Sequence, residues 1–312
     1  MTAHPSARSD ALVVGGGPAG AATALELARR GHRVVLIERD EADERSGHAS
    51  ALLLPRALHM LDRLRVDAPA GHRIDRVRLT TAEYTSHIGW PEHPDLPEHG
   101  LVTNALSRTL TASAVAAGVT ILTGHTATAP IIDRGFVRGA YVTAPDGARF
   151  EARAGYTVIA DGANSQFGRS LGTFREPSWP FGLAHQAAFP SDAHDSATVE
   201  LVLDLRDRSG TPIIGHGWMH PAGDGTVTVG VVMMSTSPSF QVVNPANLFQ
   251  RLVDDRAETW AITGEPVEPP SGRRLPVGLS VGPLAGPTYL LVGDSAGAAN
   301  PFSRTGIAAA LE

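Results

Sequence analysis

The sequence predicts an α/β fold that combines a Rossmann-like domain with a second, strand-rich region. Three observations support this prediction. Residues 10–31 contain an apolar run, a glycine-rich turn and an Ala/Leu-rich helical segment. Two later apolar runs, residues 156–160 and 288–292, are each followed by an Asp beside a Gly. Between residues 176 and 269 the pattern becomes strand-like, and residues 226–233 alternate with period two.

The first segment carries the G-x-G-x-x-G pattern of a dinucleotide-binding turn. Gly15 permits a sharp turn, Gly17 lets the backbone approach a pyrophosphate, and Gly20 lets the helix pack closely on the strand. The helix N-terminus offers unpaired N–H groups to the phosphates. A second apolar run, residues 34–37, ends at Glu38, where a carboxylate can accept hydrogen bonds from a ribose. The segment therefore predicts a dinucleotide site without deciding between FAD and a nicotinamide.

Two later motifs favour a flavin. Asp161-Gly162 and Gly293-Asp294 both stand at predicted strand ends, and either Asp alone would be interpreted as a turn residue. The three motifs in this order resemble the FAD-dependent group that includes para-hydroxybenzoate hydroxylase. The resemblance implies that Asp294 binds the ribityl chain of FAD. It also implies that a helix starting near Gly306-Ile307 points its N-terminus at the isoalloxazine ring, where it would favour the charge of a reduced flavin.

Nearly the whole chain is similar to one branch of that group, the geranylgeranyl reductase family, which includes menaquinone side-chain reductases. The matching stretches are Leu54-Pro55-Arg56-Ala57, Trp90-Pro91-Glu92, Gly215-His216-Gly217-Trp218-Met219-His220-Pro221, Gly223-Asp224-Gly225-Thr226-Val227, Leu275-Pro276 and Val281-Gly282-Pro283-Leu284.

The resemblance implies a Rossmann-like FAD-binding domain with an interleaved, mostly antiparallel β-sheet substrate domain. The expected division is 1–80, 102–175 and 270–312 for the FAD-binding domain, and 81–101 and 176–269 for the substrate domain. The residues expected to bind FAD are Gly15, Gly17, Pro18, Ala19, Gly20, Glu38, Arg39, Arg56, Ala127, Asp161, Gly162, Asp294, Pro301, Gly306 and Ile307.

One strand is expected to line the substrate cavity. Residues 216–221 stand where the family has an aromatic Y-x-W-x-F-P strand, with Trp218 and Pro221 kept and with His216 and His220 in place of Tyr and Phe. The resemblance implies that His216, Trp218 and Pro221 face the cavity. The two histidines are four residues apart and share a strand face, so they are candidate proton donors. A packing or polar-lining role is the simpler interpretation, and no other catalytic residue is identified.

Two segments depart from the family pattern close to the expected flavin. The family's C-G-D-G-L-T-P-R run is Ala-Ser-Ala-Leu-Leu-Leu-Pro-Arg at residues 49–56, and its G-E-G-I is Arg304-Thr305-Gly306-Ile307. The chain also ends at Glu312, within a predicted helix, whereas family members continue, which suggests a truncated copy. A flavin-binding protein without activity therefore stays open as an alternative.

The resemblance implies an FAD-dependent oxidoreductase that reduces carbon–carbon double bonds of an isoprenoid chain, geranylgeranyl or menaquinone-type. It implies NADPH or a ferredoxin as external reductant, and a lipid-like or other hydrophobic small molecule as substrate. An FAD-dependent monooxygenase of aromatic or polyketide-like substrates shares the scaffold and also stays open. The related halogenases rely on a lysine, and this chain has none.

Composition excludes several other chemistries. All 26 basic residues are Arg and the chain has no Cys, which excludes a P-loop, a lysine Schiff base, a thiol nucleophile and cysteine-ligated zinc. The net charge of -6 and the scattered arginines argue against nucleic acid binding. Because neither a signal peptide nor an apolar run of about 18 residues is present, we expect a cytoplasmic protein without a transmembrane segment. Peripheral contact with a membrane stays open.

Two rival sites are weak. Residues 293–297 spell the G-x-S-x-G of serine hydrolases, but no His follows His220 to complete the triad in the order that fold requires. His87, His93 and His99 lack metal-ligand spacing, so no metal site is predicted.

Overall fold

The computed structural model describes residues 9–41, 50–176, 178–301, 303 and 305–312. The helices are α1 (Pro18–Arg29), α2 (Pro55–Arg63), α3 (Leu106–Ala116), α4 (Gln166–Ser170), α5 (Pro245–Arg256) and α6 (Ile307–Leu311). The strands are β1 (Ser9–Val14), β2 (Val34–Ile37), β3 (Ala51–Leu53), β4 (His72–Ile74), β5 (Arg76–Thr80), β6 (Thr85–Gly89), β7 (Gly100–Thr103), β8 (Thr120–Leu122), β9 (Thr126–Asp133), β10 (Phe136–Thr143), β11 (Arg149–Ile159), β12 (Phe174–Arg175), β13 (Phe181–Pro190), β14 (Thr198–Val202), β15 (Gly215–Pro221), β16 (Thr226–Met234), β17 (Ser271–Pro276), β18 (Val281–Gly282), β19 (Ala285–Gly286) and β20 (Tyr289–Leu291).

The first of two main sheets, called here the parallel sheet, has the order β19-β20-β11-β1-β2-β8. Strands β20, β11, β1, β2 and β8 run parallel to their neighbours. The apolar run of β1 is buried between β11 and β2, as expected for a central parallel strand covered on both faces. Helices α1 and α3 pack on one face of this sheet. Strands β9 and β10 cover the other face, since β10 pairs antiparallel with the first half of β11.

The second main sheet, called here the antiparallel sheet, has the order β17-β13-β16-β15-β14-β5-β6. Only the β14–β5 pair is parallel among these described strands. Its central strand β16 is the segment with period two, and α5 packs its apolar side on Val227, Val229 and Val231. The other face of this sheet turns toward the first half of the molecule, because Val77 and Val199 pack with Ile74 and Val102 of β4 and β7. The predicted α/β fold class is confirmed.

The pairing of β5 and β17 bears on the expected domain division, which itself stays a prediction. That division assigned residues 76–80 and 271–276 to the FAD-binding domain. In the structure, β5 pairs with β14 and β6, and β17 pairs with β13, so both strands lie in the antiparallel sheet. The interleaving of the two sheets is therefore finer than the division drawn from the sequence.

A buried carboxylate fastens the antiparallel sheet to the segment after α5. Glu200 of β14 is 1% exposed. Its Oε1 accepts a hydrogen bond from Thr80 Oγ1 at 2.6 Å, and its Oε2 accepts from Arg78 Nη2 at 2.9 Å and Trp260 Nε1 at 2.6 Å. Arg256 Nη1 lies 3.8 Å from Oε1. The carboxylate thus neutralises two largely buried guanidinium groups and joins three elements that are distant in sequence.

We expect Glu200→Ala to lower the free energy of unfolding by about 3–5 kcal/mol, because it leaves two largely buried guanidinium groups without their counter-charge. Urea denaturation followed by circular dichroism measures the change. Glu151→Ala is the matched control, since its 2.8 Å salt bridge to Arg153 is exposed and should contribute about 1 kcal/mol or less. Equal losses in the two variants would contradict the role assigned to Glu200.

Candidate functional site

The sequence motifs meet at one edge of the parallel sheet. Strands β1, β2, β11 and β20 run in the same direction, so their carboxyl ends lie side by side. The segments that follow them carry Gly15, Glu38, Asp161 and Asp294. A crevice outside the carboxyl ends of parallel strands is where open α/β sheets bind ligands. The topology therefore brings together four segments spread over most of the chain.

Glycines allow these segments to touch. Gly15 has φ +103°, and a Cβ there would lie 2.3 Å from the carbonyl oxygen of Ala160. A Cβ on Gly20 would lie 1.9 Å from the carbonyl oxygen of Gly15, so only glycine lets α1 start this close to the turn. A Cβ on Gly293 would lie 2.6 Å from Cβ of Ala19. The first motif is thus in contact with both later motifs.

The start of α1 is open to a ligand. Gly17 is the N-cap, Pro18 follows it, and neither a side-chain cap nor an acidic residue occupies the first turn. The N–H groups of Ala19 and Gly20 therefore stand at an uncapped, positive helix end. A Cβ on Gly17 would meet no atom within 4 Å, which leaves room beside the backbone. These features fit the pyrophosphate of a dinucleotide.

Glu38 lies beside the glycine-rich turn. Its Oε2 accepts a hydrogen bond from the Gly16 N–H at 2.6 Å, and its Oε1 accepts from the Asp40 N–H at 3.0 Å. Each carboxylate oxygen has a second lone pair that a ribose hydroxyl can use. Ala127 lies close by in β9, since the backbone N–H of His125 donates to the carbonyl oxygen of Glu38 at 2.9 Å.

Asp161 has one carboxylate oxygen in a normal hydrogen bond and one without. Its Oδ2 accepts from the Phe167 N–H at 2.9 Å, whereas the buried Oδ1 forms no hydrogen bond of normal geometry with a described residue. Burial raises the pKa of this carboxyl above its ordinary value, and the nearby side chain of Ser165 opposes that rise. A hydroxyl or N–H donor of a bound ligand would complete the hydrogen bonding of Oδ1. Gly162, with φ +79°, turns the chain away immediately afterwards.

Asp294 lies against the start of α6. It belongs to a short 3₁₀ turn, Gly293–Ala296, and a Cβ on Gly306 would come within 3.3 Å of its Oδ1. Gly306 immediately precedes Ile307, the first residue of α6. Burial raises the pKa of Asp294, and the positive charge of Arg273 opposes that rise. Sequence reasoning missed Arg273, because only the pairing of β17 with β13 brings it near this turn.

The remaining residues expected to bind FAD lie at the margin of this site. Arg56 Nη2 forms a 2.6 Å salt bridge with Glu312 Oε2, and both side chains are exposed. Arg39 Nε lies 3.4 Å from Asp40 Oδ1, also at the surface. Pro301 is exposed and lies near Gly278. Ala49 and Arg304, at which the sequence departs from the family pattern, lie outside the described residues. The assignment of these residues to FAD stays a prediction.

Ser295 has a structural role. Its side chain is buried, and Oγ lies 2.7 Å from the carbonyl oxygen of Ile159 and 2.6 Å from that of Val292. It therefore ties the end of β20 to the end of β11. Among the described residues the hydroxyl bonds only to backbone carbonyls and to no His, so it is not an activated nucleophile and the G-x-S-x-G interpretation fails.

The predicted cavity strand presents an aromatic row toward the first half of the molecule. His216, Trp218 and His220 alternate along β15, with ring centroids 5.9 Å and 6.1 Å apart. The indole of Trp218 lies over Gly230 of β16, where a Cβ would stand 2.2 Å from Cζ2. On the same face, Thr228 Oγ1 lies 2.9 Å from Ser50 Oγ, just before β3. This face of the antiparallel sheet thus contacts the segment that precedes β3.

Pro221 is placed differently from the expectation that it lines the cavity. It pairs with Val227, whose side chain belongs to the core under α5. Because side chains alternate along a strand, Pro221 faces the side opposite to His216 and Trp218. The proline of the family pattern is present at this position, but the register of β15 places its side chain on the face opposite to the aromatic row.

His220 is held in its neutral form. Burial, with a smaller contribution from His216, lowers the pKa of His220 from 6.5 to about 3. Its Nδ1 is inaccessible to solvent and has no hydrogen-bond partner among the described residues. At neutral pH the side chain is therefore an uncharged hydrogen-bonding group, which makes it a weaker proton donor than an imidazolium.

In the described part of the chain, no group of three or more His, Asp or Glu side chains is arranged to hold a metal ion. No helix within those residues is long and apolar enough to cross a membrane.

Comparisons with known proteins agree with the motifs. The FAD binding domain family matches residues 8–236. A menaquinone reductase of Mycolicibacterium smegmatis is 31% identical over 98% of this chain and 74% of its own length. A digeranylgeranylglycerophospholipid reductase of Methanopyrus kandleri is 28% identical over 97% of this chain and 77% of its own length.

Solved structures show the same fold. A geranylgeranyl bacteriochlorophyll reductase-like protein of Thermoplasma acidophilum has a TM-score of 0.81, 22% identity, and coverage of 97% of this chain and 75% of its own. A myxobacterial FAD-dependent halogenase has a TM-score of 0.74 and 20% identity, covering 97% of this chain and 72% of its own. A p-nitrophenol 4-monooxygenase of Pseudomonas putida has a TM-score of 0.71 and 19% identity, covering 97% of this chain and 77% of its own. At these identities the likeness is one of fold alone.

We expect Gly17→Ala to weaken FAD binding roughly tenfold to a hundredfold, because an added methyl group beside a close-packed ligand costs about 1–3 kcal/mol. Titration of the apoprotein with FAD, followed by flavin fluorescence, measures the dissociation constant. The stability of the apoprotein should not change, since the new Cβ meets no protein atom. Gly89→Ala, also in open space but on the edge strand β6, is the control. Unchanged affinity in Gly17→Ala would place FAD elsewhere.

We expect His220 to make the protein less stable in acid. Its pKa is about 3 in the folded state and about 6.5 when unfolded, so the unfolded state binds more protons between these values. The stability contribution is complete above pH ~6.5 and falls by about 2 kcal/mol at pH 5. Urea denaturation at pH 7.5 and pH 5 should therefore show a smaller loss in His220→Asn than in the parent. The exposed His87→Asn should behave as the parent, and an undiminished loss in His220→Asn would contradict the prediction.

Proposed function

Because the chain belongs to the geranylgeranyl reductase family of FAD-dependent oxidoreductases, we propose that it reduces carbon–carbon double bonds of an isoprenoid chain. The observation that carries the proposal is the 31% identity with a menaquinone reductase over 98% of this chain. The substrate is of the geranylgeranyl or menaquinone type, a lipid-like molecule drawn from a membrane surface. The external reductant is NADPH or a ferredoxin.

The chain's own residues support binding of the cofactor in one orientation. The uncapped start of α1 would bind the pyrophosphate, Glu38 the ribose, and Asp294 the ribityl chain. FAD, when bound, would supply the hydride. Asp161 Oδ1 would accept a hydrogen bond from the cofactor or the substrate.

The aromatic row of β15 supports an apolar substrate. Trp218 offers a broad apolar wall, and its position over Gly230 leaves it flat against the sheet. Reduction of an isolated alkene also needs a proton on the second carbon. Between the two histidines, His216 is the better proton donor, because His220 is held neutral at an uncharged hydrogen-bonding position. His220 then orients a polar group of the substrate.

Two alternatives keep the same cofactor site. A monooxygenase would let the reduced flavin react with oxygen and then act on an aromatic or polyketide-like substrate. A flavin-binding protein without activity is the second alternative, favoured by the departures at residues 49–56 and 304–305. Neither is supported by a curated relative of comparable identity and coverage among those described above.

We expect the dithionite-reduced holoenzyme to add two hydrogens to a menaquinone or a prenyl substrate under anaerobic conditions. Mass spectrometry of the extracted substrate measures the gain. No gain with any isoprenoid contradicts the proposal, and an oxygen-dependent gain of one oxygen on an aromatic compound supports the monooxygenase. A colourless preparation that FAD does not reconstitute supports the inactive protein.

A matched pair of variants connects turnover to the aromatic row. Trp218→Ala should lower kcat/KM at least about tenfold, because it removes a wall that positions the alkene. Tyr84→Ala, which removes an exposed aromatic side chain on the β5–β6 turn, should leave kcat/KM unchanged. Equal effects of the two variants would remove Trp218 from the substrate site.

A further inference from the structure

Two arginines stack on one phenylalanine at the outer side of the antiparallel sheet. The guanidinium carbons of Arg175 and Arg274 lie 4.2 Å and 4.8 Å from the centroid of the Phe181 ring. Arg175 belongs to β12, Arg274 to β17 and Phe181 to the start of β13. The ring is fixed in turn by an edge contact with Phe240, with centroids 5.5 Å apart. Both cations are therefore held on a rigid aromatic support.

The protein leaves most of this positive charge uncompensated. In the described part of the chain neither guanidinium forms a salt bridge, and Arg175 Nη1 donates only to the carbonyl oxygens of Glu176 and Trp179, at 3.3 Å and 3.2 Å. Burial and then the charge of Arg274 lower the pKa of Arg175, while Glu176 raises it. Two guanidiniums against one exposed carboxylate make this a cationic spot on a chain of net charge -6. An anion bound here would relieve the like-charge repulsion.

Large apolar side chains are exposed next to the two cations along the chain, and Arg175 itself donates to the carbonyl oxygen of Trp179. Phe174, Trp179 and Leu279 are 57%, 48% and 53% exposed, and they border an open cleft of about 310 Å³. A small soluble anion would leave these side chains in water. A lipid surface satisfies both features, since its phosphates meet the guanidiniums and its acyl chains receive the apolar groups. Phe174, Arg175, Trp179, Arg274 and Leu279 are called the Trp179 patch below.

The Trp179 patch adjoins the segment after Asp294 through Leu279. The N–H of Leu279 donates to the carbonyl oxygen of Gly297 at 2.8 Å, and the N–H of Gly278 donates to that of Ala299 at 2.9 Å. Gly297 and Ala299 belong to the segment that follows Asp294. The backbone at one edge of the patch is therefore bonded to the segment that continues from the Asp294 turn.

We propose that the Trp179 patch docks the protein on an anionic phospholipid surface. Arg175 and Arg274 bind lipid phosphates, and Phe174, Trp179 and Leu279 enter the boundary between headgroups and acyl chains. The choice of a lipid surface rests on the proposed function, because an isoprenoid substrate of that kind resides in a membrane. Docking through this face would bring the segment that follows Asp294 close to the lipid through its backbone hydrogen bond with Leu279.

The test uses the whole chain and vesicles of phosphatidylcholine with and without phosphatidylglycerol, some with brominated acyl chains. Trp179 is the exposed member of four tryptophans, since Trp260 is buried and Trp90 and Trp218 are half-buried. We expect brominated, phosphatidylglycerol-containing vesicles to quench tryptophan fluorescence, and Trp179→Phe to remove the quenching.

The double variant Phe174→Ser with Trp179→Ser should lower the vesicle partition coefficient at least about tenfold. Arg274→Gln should lower it about fivefold on anionic vesicles and little on neutral ones.

The control variants remove side chains of the same chemical types from parts of the surface outside the Trp179 patch. Arg138 stacks on Phe136 at 4.9 Å, so Arg138→Gln removes a guanidinium of the same kind from β10, and Val242→Ser removes an exposed apolar side chain. Neither should change vesicle binding. Absence of vesicle binding, loss of binding in the controls alone, or inorganic phosphate binding without vesicle binding would overturn the proposal. Reduction of a detergent-solubilised isoprenoid is measured separately, so turnover without vesicle binding refutes the docking surface and leaves the proposed function standing.

Discussion

The close contact between the start of α1 and the turn after β1 is the constraint on which the rest of the site depends. Gly20 rests on the backbone of Gly15, and Gly15 rests on the backbone of Ala160. Gly293 in turn rests on Ala19. The first two contacts are with backbone and the third is with a methyl group, none of which can adjust by rotating a side chain, so the three motifs form one unit with a fixed spacing. A shift of any strand end in the parallel sheet would change the position of the helix end that faces the ligand.

Ionisable side chains near this unit are biased toward their neutral forms, whereas those around Glu200 form ion pairs. Near the candidate cofactor, burial raises the pKa of Asp161 and Asp294 and lowers that of His220, so each group is biased toward its neutral form. Such groups interact with a ligand mainly through directed hydrogen bonds. The paired charge around Glu200 lies on the far side of the antiparallel sheet, where it serves stability. A flavin bound at this site would therefore meet these three side chains as hydrogen-bonding groups, beside the carboxylate of Glu38 and the guanidinium of Arg273.

The sequence was informative wherever spacing along the chain encodes geometry. The contacts within the glycine-rich turn and at Glu38 could be predicted because residues close together in the sequence form them. The alternation of residues 226–233 likewise predicts strand β16 and its buried faces. Pro221 was expected beside Trp218 because the family pattern contains both residues. Side chains alternate along a strand, and this alternation alone places Pro221 and Trp218 on opposite faces of β15.

Other features depend on residues that meet only in the folded chain. The neutral state of His220 depends on burial by distant strands, and nothing in residues 216–221 signals it. The Glu200 cluster unites residues of β5, β14 and the segment after α5. The guanidinium pair on Phe181 likewise joins three short elements from different parts of the sequence. Sheet pairing creates each of these sites, so local pattern could not reveal them.

The position of Trp218 over Gly230 has an evolutionary consequence. Gly230 sits in the middle of a regular strand without a positive φ, so its backbone does not demand glycine. The indole does, since any side chain at this position would occupy the volume of its six-membered ring. The two positions should therefore covary among homologues, with glycine retained opposite tryptophan and larger residues appearing where the aromatic side chain has become small. Such paired exchange would change the depth of this face of the antiparallel sheet in one step.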